Sequence, residues 1–135
     1  MTAELTADEP TRYDQVRAIQ DHFRAFDYEV GAGADANALE RTLTERSGAA
    51  TDLASAFALM ARAVDIPSRV AVGFTWGLPG ETVDGLTTYE VSGRHAHVWP
   101  EIYFDGIGWV PFEPTPGRGN PAAVNYTGVP AEQNE

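Results

Sequence analysis

The residues best suited to chemistry fall in one stretch, residues 93–116, which reads GRHAHVWPEIYFDGIGWVPFEPTP. Two aromatic-rich patterns flank Asp105–Gly106–Ile107–Gly108. Asp-Gly between such runs predicts a hairpin, because glycine accepts the positive φ of a tight turn. On the first strand the residues of one parity share a face: His95, His97, Trp99 and Glu101. The second strand starts near Trp109 and runs back to Glu113, just before Pro114. A hairpin folded here can set a carboxylate beside an imidazole, which is the base and its orienter in a catalytic triad. The same residues allow a second chemistry. His95 and His97 with Glu101 or Glu113 would make a two-histidine, one-carboxylate metal set. Taken singly, each feature has a plain structural reading. A histidine on an aromatic strand is usually a hydrogen-bonded structural residue, and a glutamate before proline a solvated strand end. Trp99, Tyr103, Trp109 and Phe112 read first as core or cleft wall. His95 reads as a rim residue, and Trp76, opening a loop, as a cleft-lining candidate.

Composition narrows the partners. The formal net charge is -11, and every one of the nine basic residues is arginine. So acidic a chain is unsuited to nucleic acid or to an anionic membrane surface. No cysteine is present, which excludes disulfides, thiolate metal sites and a thiol nucleophile. No apolar run approaches the roughly 18 residues of a membrane span, and no basic segment followed by an apolar one opens the chain. A hydrophobic fraction of 43% is that of a folded protein, and the length suits one domain.

The elements that must position the site follow in order. Residues 1–9 are polar and predicted to fray. Tyr13, Val16, Ile19, Phe23 and Phe26 recur at helical spacing, so residues 10–26 form an amphipathic helix. Gly31 to Ala34 reads as a flexible loop. Asn37 with Glu40 resembles a capping box for a short helix over about 36–46, stopped by Gly48. Residues 50–64, ATDLASAFALMARAV, are apolar nearly all round, as in a buried central helix. A strand covers 68–76, Gly77 to Gly85 reads as a loop, and Thr87 to Ser92 as a strand before the hairpin. The order is α+β: N-terminal helices, one of them buried, packed on an antiparallel sheet. The expected organisation is a frayed 1–9, a domain over 10–116, and an extended Pro/Gly-containing tail over 117–135.

Two blocks of the chain, RSGAATDLASAFALMARAVDIPSRVAVGF and HAHVWPEIYFDGIGWVPFEPTP, resemble a bacterial transglutaminase-like domain of papain-like fold. The resemblance is nearest to the extracytoplasmic domain of actinobacterial membrane proteins of this type, and spans roughly residues 13–120. It implies a cysteine-protease-like Cys–His–Asp/Glu triad that cleaves or transfers acyl groups of peptide or protein amides without a cofactor. It further implies a soluble domain outside the membrane within a membrane-anchored parent. His97 matches the triad histidine and Glu113 the triad acid. Trp99 and Trp76 are the candidate substrate-binding residues. The family's cysteine falls at Ala50, which offers no lone pair to activate. Ala49 replaces an aromatic residue, and Thr51–Asp52 replace a pair such as Glu-Gln. Thr51 is rotated about 100° from position 50 on the helix and aims elsewhere. Ser47 precedes the helix. The expectation is a non-catalytic version of the scaffold that binds peptide or cell-envelope material. The alternatives are a purely structural or interaction domain of an envelope protein, and the metal site above.

Overall fold

The computed structural model describes residues 1–29 and 37–133. The glycine-rich loop expected at 31–34 lies outside them. Two helices form the centre. In α2 (Arg12–Arg24) the Thr11 hydroxyl caps the N-terminus by accepting from the Asp14 N–H at 3.1 Å. Its inner face carries Val16, Ile19 and Phe23, all fully buried. In α4 (Ala50–Ala63) the Asp52 carboxylate reaches back to the Ala49 N–H at 3.1 Å. Alanine on most sides lets neighbours approach α4 closely, and Leu53, Ala54, Ala56, Phe57 and Ala61 are fully buried. The helix ends where Asp65 takes a positive φ of 61° and Ile66 N–H bonds the Ala61 carbonyl at 3.0 Å.

A three-stranded antiparallel sheet, in the order β3 (Ser68–Phe74), β6 (Ala96–Phe104), β7 (Gly108–Pro111), packs on α4. Ile102 and Phe112 face the helix, and Phe57 stacks on Phe112 with ring centroids 6.3 Å apart. The β3 strand is tied to α4 where the Ser68 hydroxyl donates to the Ala58 carbonyl at 2.7 Å. The turn at Asp105–Gly106 sets the β6–β7 register, pairing Tyr103 with Trp109 and Glu101 with Pro111. A mixed α+β fold, helices packed on an antiparallel sheet, is what the sequence predicts. A short α3 (Ala38–Glu45) and a two-residue parallel pairing of β1 (Asp27–Tyr28) with β2 (Ser47–Gly48) complete the helical side.

Several expectations need correction. Residues 1–9 are not frayed: α1 (Thr2–Thr6) buries Thr2 and Thr6 and packs Leu5 against the core. Asn37 takes the N-cap position of α3, but its side chain makes no capping bond there. That helix ends at Arg46, in the left-handed region at φ 55°, ahead of Gly48. The stretch expected as a loop is β4 (Leu78–Val83), which pairs with β5 (Leu86–Glu90) across Asp84–Gly85. Both turn residues have positive φ, as a two-residue hairpin turn requires. His95 is neither on the strand face nor at a rim. It sits in a 3₁₀ turn, Gly93–His95, at 5% exposure, and its Nδ1 accepts from the Ser92 N–H at 3.0 Å.

The expected C-terminal tail is folded onto the domain. It contains β8 (Arg118–Gly119), α5 (Val124–Thr127) and β9 (Glu132–Gln133), with β8 paired to β9. Ala123, Thr127 and Val129 are buried. Polar side chains of α2, the buried Gln20 and the half-buried Arg17 and Arg24, hold its carbonyl groups, and that kind of anchor leaves no apolar stripe to read in the sequence.

Candidate functional site

His97 lies on β6 opposite Gly73 of β3, and Glu113 follows the end of β7. Hairpin pairing brings the two side chains together: His97 Nε2 is 2.7 Å from Glu113 Oε1, and both residues are buried. A carboxylate only accepts, so Nε2 carries the hydrogen, and in the neutral imidazole Nδ1 keeps its lone pair. Nδ1 is buried and has no hydrogen-bond partner. The imidazole is therefore oriented on one side and open to a partner on the other, which is the geometry of a general base awaiting a donor.

The carboxylate is itself held. Glu113 Oε2 accepts from the Thr115 N–H at 3.3 Å. The Glu113 N–H donates to Gln20 Oε1 at 3.1 Å, and Gln20 Nε2 donates to the Thr127 carbonyl at 2.9 Å. Arg24 Nη1 donates to the carbonyls of Thr115 at 2.8 Å and Arg118 at 3.0 Å. Gln20 and Arg24 were not foreseen from the sequence. The available signal was a glutamine on the buried stripe of α2, between Ile19 and Phe23, where an uncharged polar group needs partners.

Trp99 lies over His97, with ring centroids 5.9 Å apart and planes 29° from parallel. A pocket of about 280 Å³ opens beside this pair. Its lining includes Phe74, Thr75, Trp76, Trp99 and Pro111, together with Asn120, Pro121, Ala123 and Thr127 of the C-terminal segment. Both tryptophans expected at a cleft thus reach it. Trp109 and Tyr103 do not: they are partly exposed on the outer face of the sheet, edge to face, with Arg69 over Trp109 at 4.2 Å. Phe112 belongs to the core.

Ala50 is the first residue of α4, half-buried, and does not line this pocket. Neither hydroxyl near it stands in. Thr51 is exposed, and the Ser47 hydroxyl donates to Glu29 Oε2 at 3.1 Å. The metal alternative loses its geometry, because His95 is engaged by Ser92 and His97 by Glu113. Among the described residues no three His, Asp or Glu side chains are grouped to hold a metal ion. Tyr126 packs beneath the site and donates to the Pro111 carbonyl at 2.8 Å. Burial first, and then the charge of Glu101, pushes its pKa up to about 12.

The model of the transglutaminase-like superfamily matches residues 1–114. The chain belongs to the transglutaminase-like superfamily. Uncharacterised protein YebA of Bacillus subtilis is 35% identical over 130 residues, covering 90% of this chain and 18% of that protein. The periplasmic domain of TgpA from Pseudomonas aeruginosa, solved with bound ethylmercury, superposes with a TM-score of 0.68 at 28% identity. That match covers 84% of this chain and 41% of the TgpA chain. A candidate cysteine protease of Cytophaga hutchinsonii shares the fold, with a TM-score of 0.62 at 24% identity over 84% of this chain and 35% of that one. The chain thus spans less than a fifth of YebA and about two fifths of the TgpA chain. The papain-like α+β architecture is common to these structures.

Proposed function

We propose that this domain is a thiol acyl-transfer scaffold without its nucleophile, which binds peptide or cell-envelope amides and does not turn them over. The observation that carries this reading is the buried His97–Glu113 pair at 2.7 Å, whose outer nitrogen has no partner, in a chain with no cysteine. In an active enzyme of this class a thiol at a helix N-terminus would give its proton to that nitrogen, and the thiolate would attack the amide carbonyl. On this reading the thiol's position is that of Ala50, the first residue of α4. His97 and Glu113 are the remaining triad members, and Trp99 and Trp76 are the substrate-facing aromatics. The likeness to a periplasmic domain supports a place outside the cytoplasmic membrane, within a longer protein. No helix among the described residues is long and apolar enough to cross a membrane.

The test is Ala50→Cys. This reading sets the new thiol beside the imidazole and at the positive end of α4, so it is expected to react with iodoacetamide at a pH well below the pKa of a free thiol, roughly 8.5. His97→Ala in that background should return the pH profile to the free-thiol value. Coincident profiles with and without His97 would show that position 50 does not face the imidazole, and the reading would fall. The parent protein is expected to form no covalent acyl adduct.

A further inference from the structure

Strand β3 forms one edge of the sheet, and no other strand pairs with it among the described residues. Its pairing phase can be read from both ends. The Thr75 N–H donates to the His95 carbonyl at 2.8 Å, and the Tyr103 N–H to the Pro67 carbonyl at 3.1 Å. Odd-numbered residues of β3 therefore bond inward to β6, and Ser68, Val70, Val72 and Phe74 turn their N–H and C=O groups outward. The outward carbonyl of Ser68 is taken by Arg62 at 2.8 Å, as this phase requires. Beyond Arg69, whose guanidinium turns to Glu101 of β6 at 2.8 Å, the run is Val-Ala-Val-Gly-Phe, with no charge, proline or bulge to protect it. Val72 is 79% exposed and Phe74 61%. Natural sheets blunt such an edge unless something pairs with it.

The edge leads into the pocket. Phe74, at the end of β3, lines it, and so do the next two residues. Trp99 reaches across β3 because residue 73 is glycine: a Cβ there would lie 2.7 Å from the indole. The indole thus lies over the edge strand on the face that carries His97. Gly119, Asn120, Pro121, Ala123 and Thr127, beyond the part matched by the superfamily model, also line the pocket.

We propose that the free edge of β3 binds an extended neutral or basic peptide as an added strand, with one apolar side chain entering the pocket beside Trp99. Main-chain pairing supplies affinity without regard to sequence, and the pocket supplies the choice of side chain. A net charge of -11 opposes pairing of this edge with a second copy and favours a neutral or basic occupant. The proposal deepens, and rests on, the reading of the groove as a peptide site.

The probe is a capped peptide of about seven residues that alternates threonine with phenylalanine and ends in lysine, a strand-forming pattern. Amide hydrogen exchange is followed by NMR. At saturation the Val70, Val72 and Phe74 amides should slow by about tenfold or more, while the already bonded Ala71 and Gly73 change little. Val72→Pro removes an outward donor and no bond to β6, so it should weaken binding at least about tenfold with the fold retained. Phe74→Ala leaves the backbone unchanged and should also weaken binding, which keeps the test intact if the proline variant unfolds. Unslowed edge amides at saturation, or unchanged affinity in Phe74→Ala, would overturn the proposal. Concentration-dependent slowing without peptide, with a dimer in sedimentation, would overturn it in favour of a second copy. Accelerated alkylation of Ala50→Cys without peptide protection would sink this proposal and leave the paired site standing. Protection without acceleration would do the reverse.

Discussion

Gln20→Leu tests how the site is held together. Gln20 has no solvent exposure, and its amide bridges the Glu113 N–H at 3.1 Å and the Thr127 carbonyl at 2.9 Å. Leucine is of similar size, so the packing between Ile19 and Phe23 should survive. What is lost is the partner of two buried backbone groups. Each orphaned group costs about 1–3 kcal/mol, so the variant should be less stable by about 2–6 kcal/mol. With an unfolding entropy of about 2.1 cal/mol/K per residue, a chain of this length shifts its Tm by about 3–4 °C per kcal/mol. The expected fall is therefore about 7–21 °C in a thermal scan followed by circular dichroism. The loss should be local in origin. Exchange of the Glu113 amide should rise before that of the α4 amides, because the C-terminal segment loosens first. A Tm within about 2 °C of the parent would refute the reasoning, since it would mean that water or a neighbour replaces both bonds without loss.

Two more perturbations report on other parts of the structure. Burial, and then the Arg46 charge, lowers the pKa of His22 below 6.5. The unfolded chain therefore takes up the proton first; this contribution is complete above about pH 6.5 and is lost as pH falls toward the lowered value. The urea midpoint of the parent should drop more steeply than that of His22→Phe between about pH 8 and pH 5, and parallel curves would refute the assignment. Gly73→Ala should push the Trp99 indole off its seat, since the new Cβ would meet it at 2.7 Å. A loss of about 1–3 kcal/mol and a shifted tryptophan emission are expected, and an unchanged spectrum and Tm would show that the indole has room.

The sequence by itself determined the parts whose signals are local. The apolar periodicity of residues 13–26 and the all-round apolar surface of 50–64 specify α2 and α4, because burial demands those patterns. Asp105–Gly106 specifies the hairpin, and the strand period then brings Glu113 to His97. That pair was legible because both of its members lie within one hairpin. Only the tertiary structure decided the rest. The Asp84–Gly85 turn carries the same signal as Asp105–Gly106, but its strands, Leu78–Val83 and Leu86–Glu90, are exposed throughout and show no burial alternation. His95 shares its parity with His97, yet it leaves the strand face because Ser92 captures its Nδ1 in a 3₁₀ turn that no side-chain period announces. The C-terminal segment looks structureless by composition, since Gln20 and Arg24 bind its carbonyl groups from a helix about a hundred residues earlier. A backbone carbonyl is the same in every residue, so a site anchored through carbonyls leaves no trace in the order of the side chains that carry them.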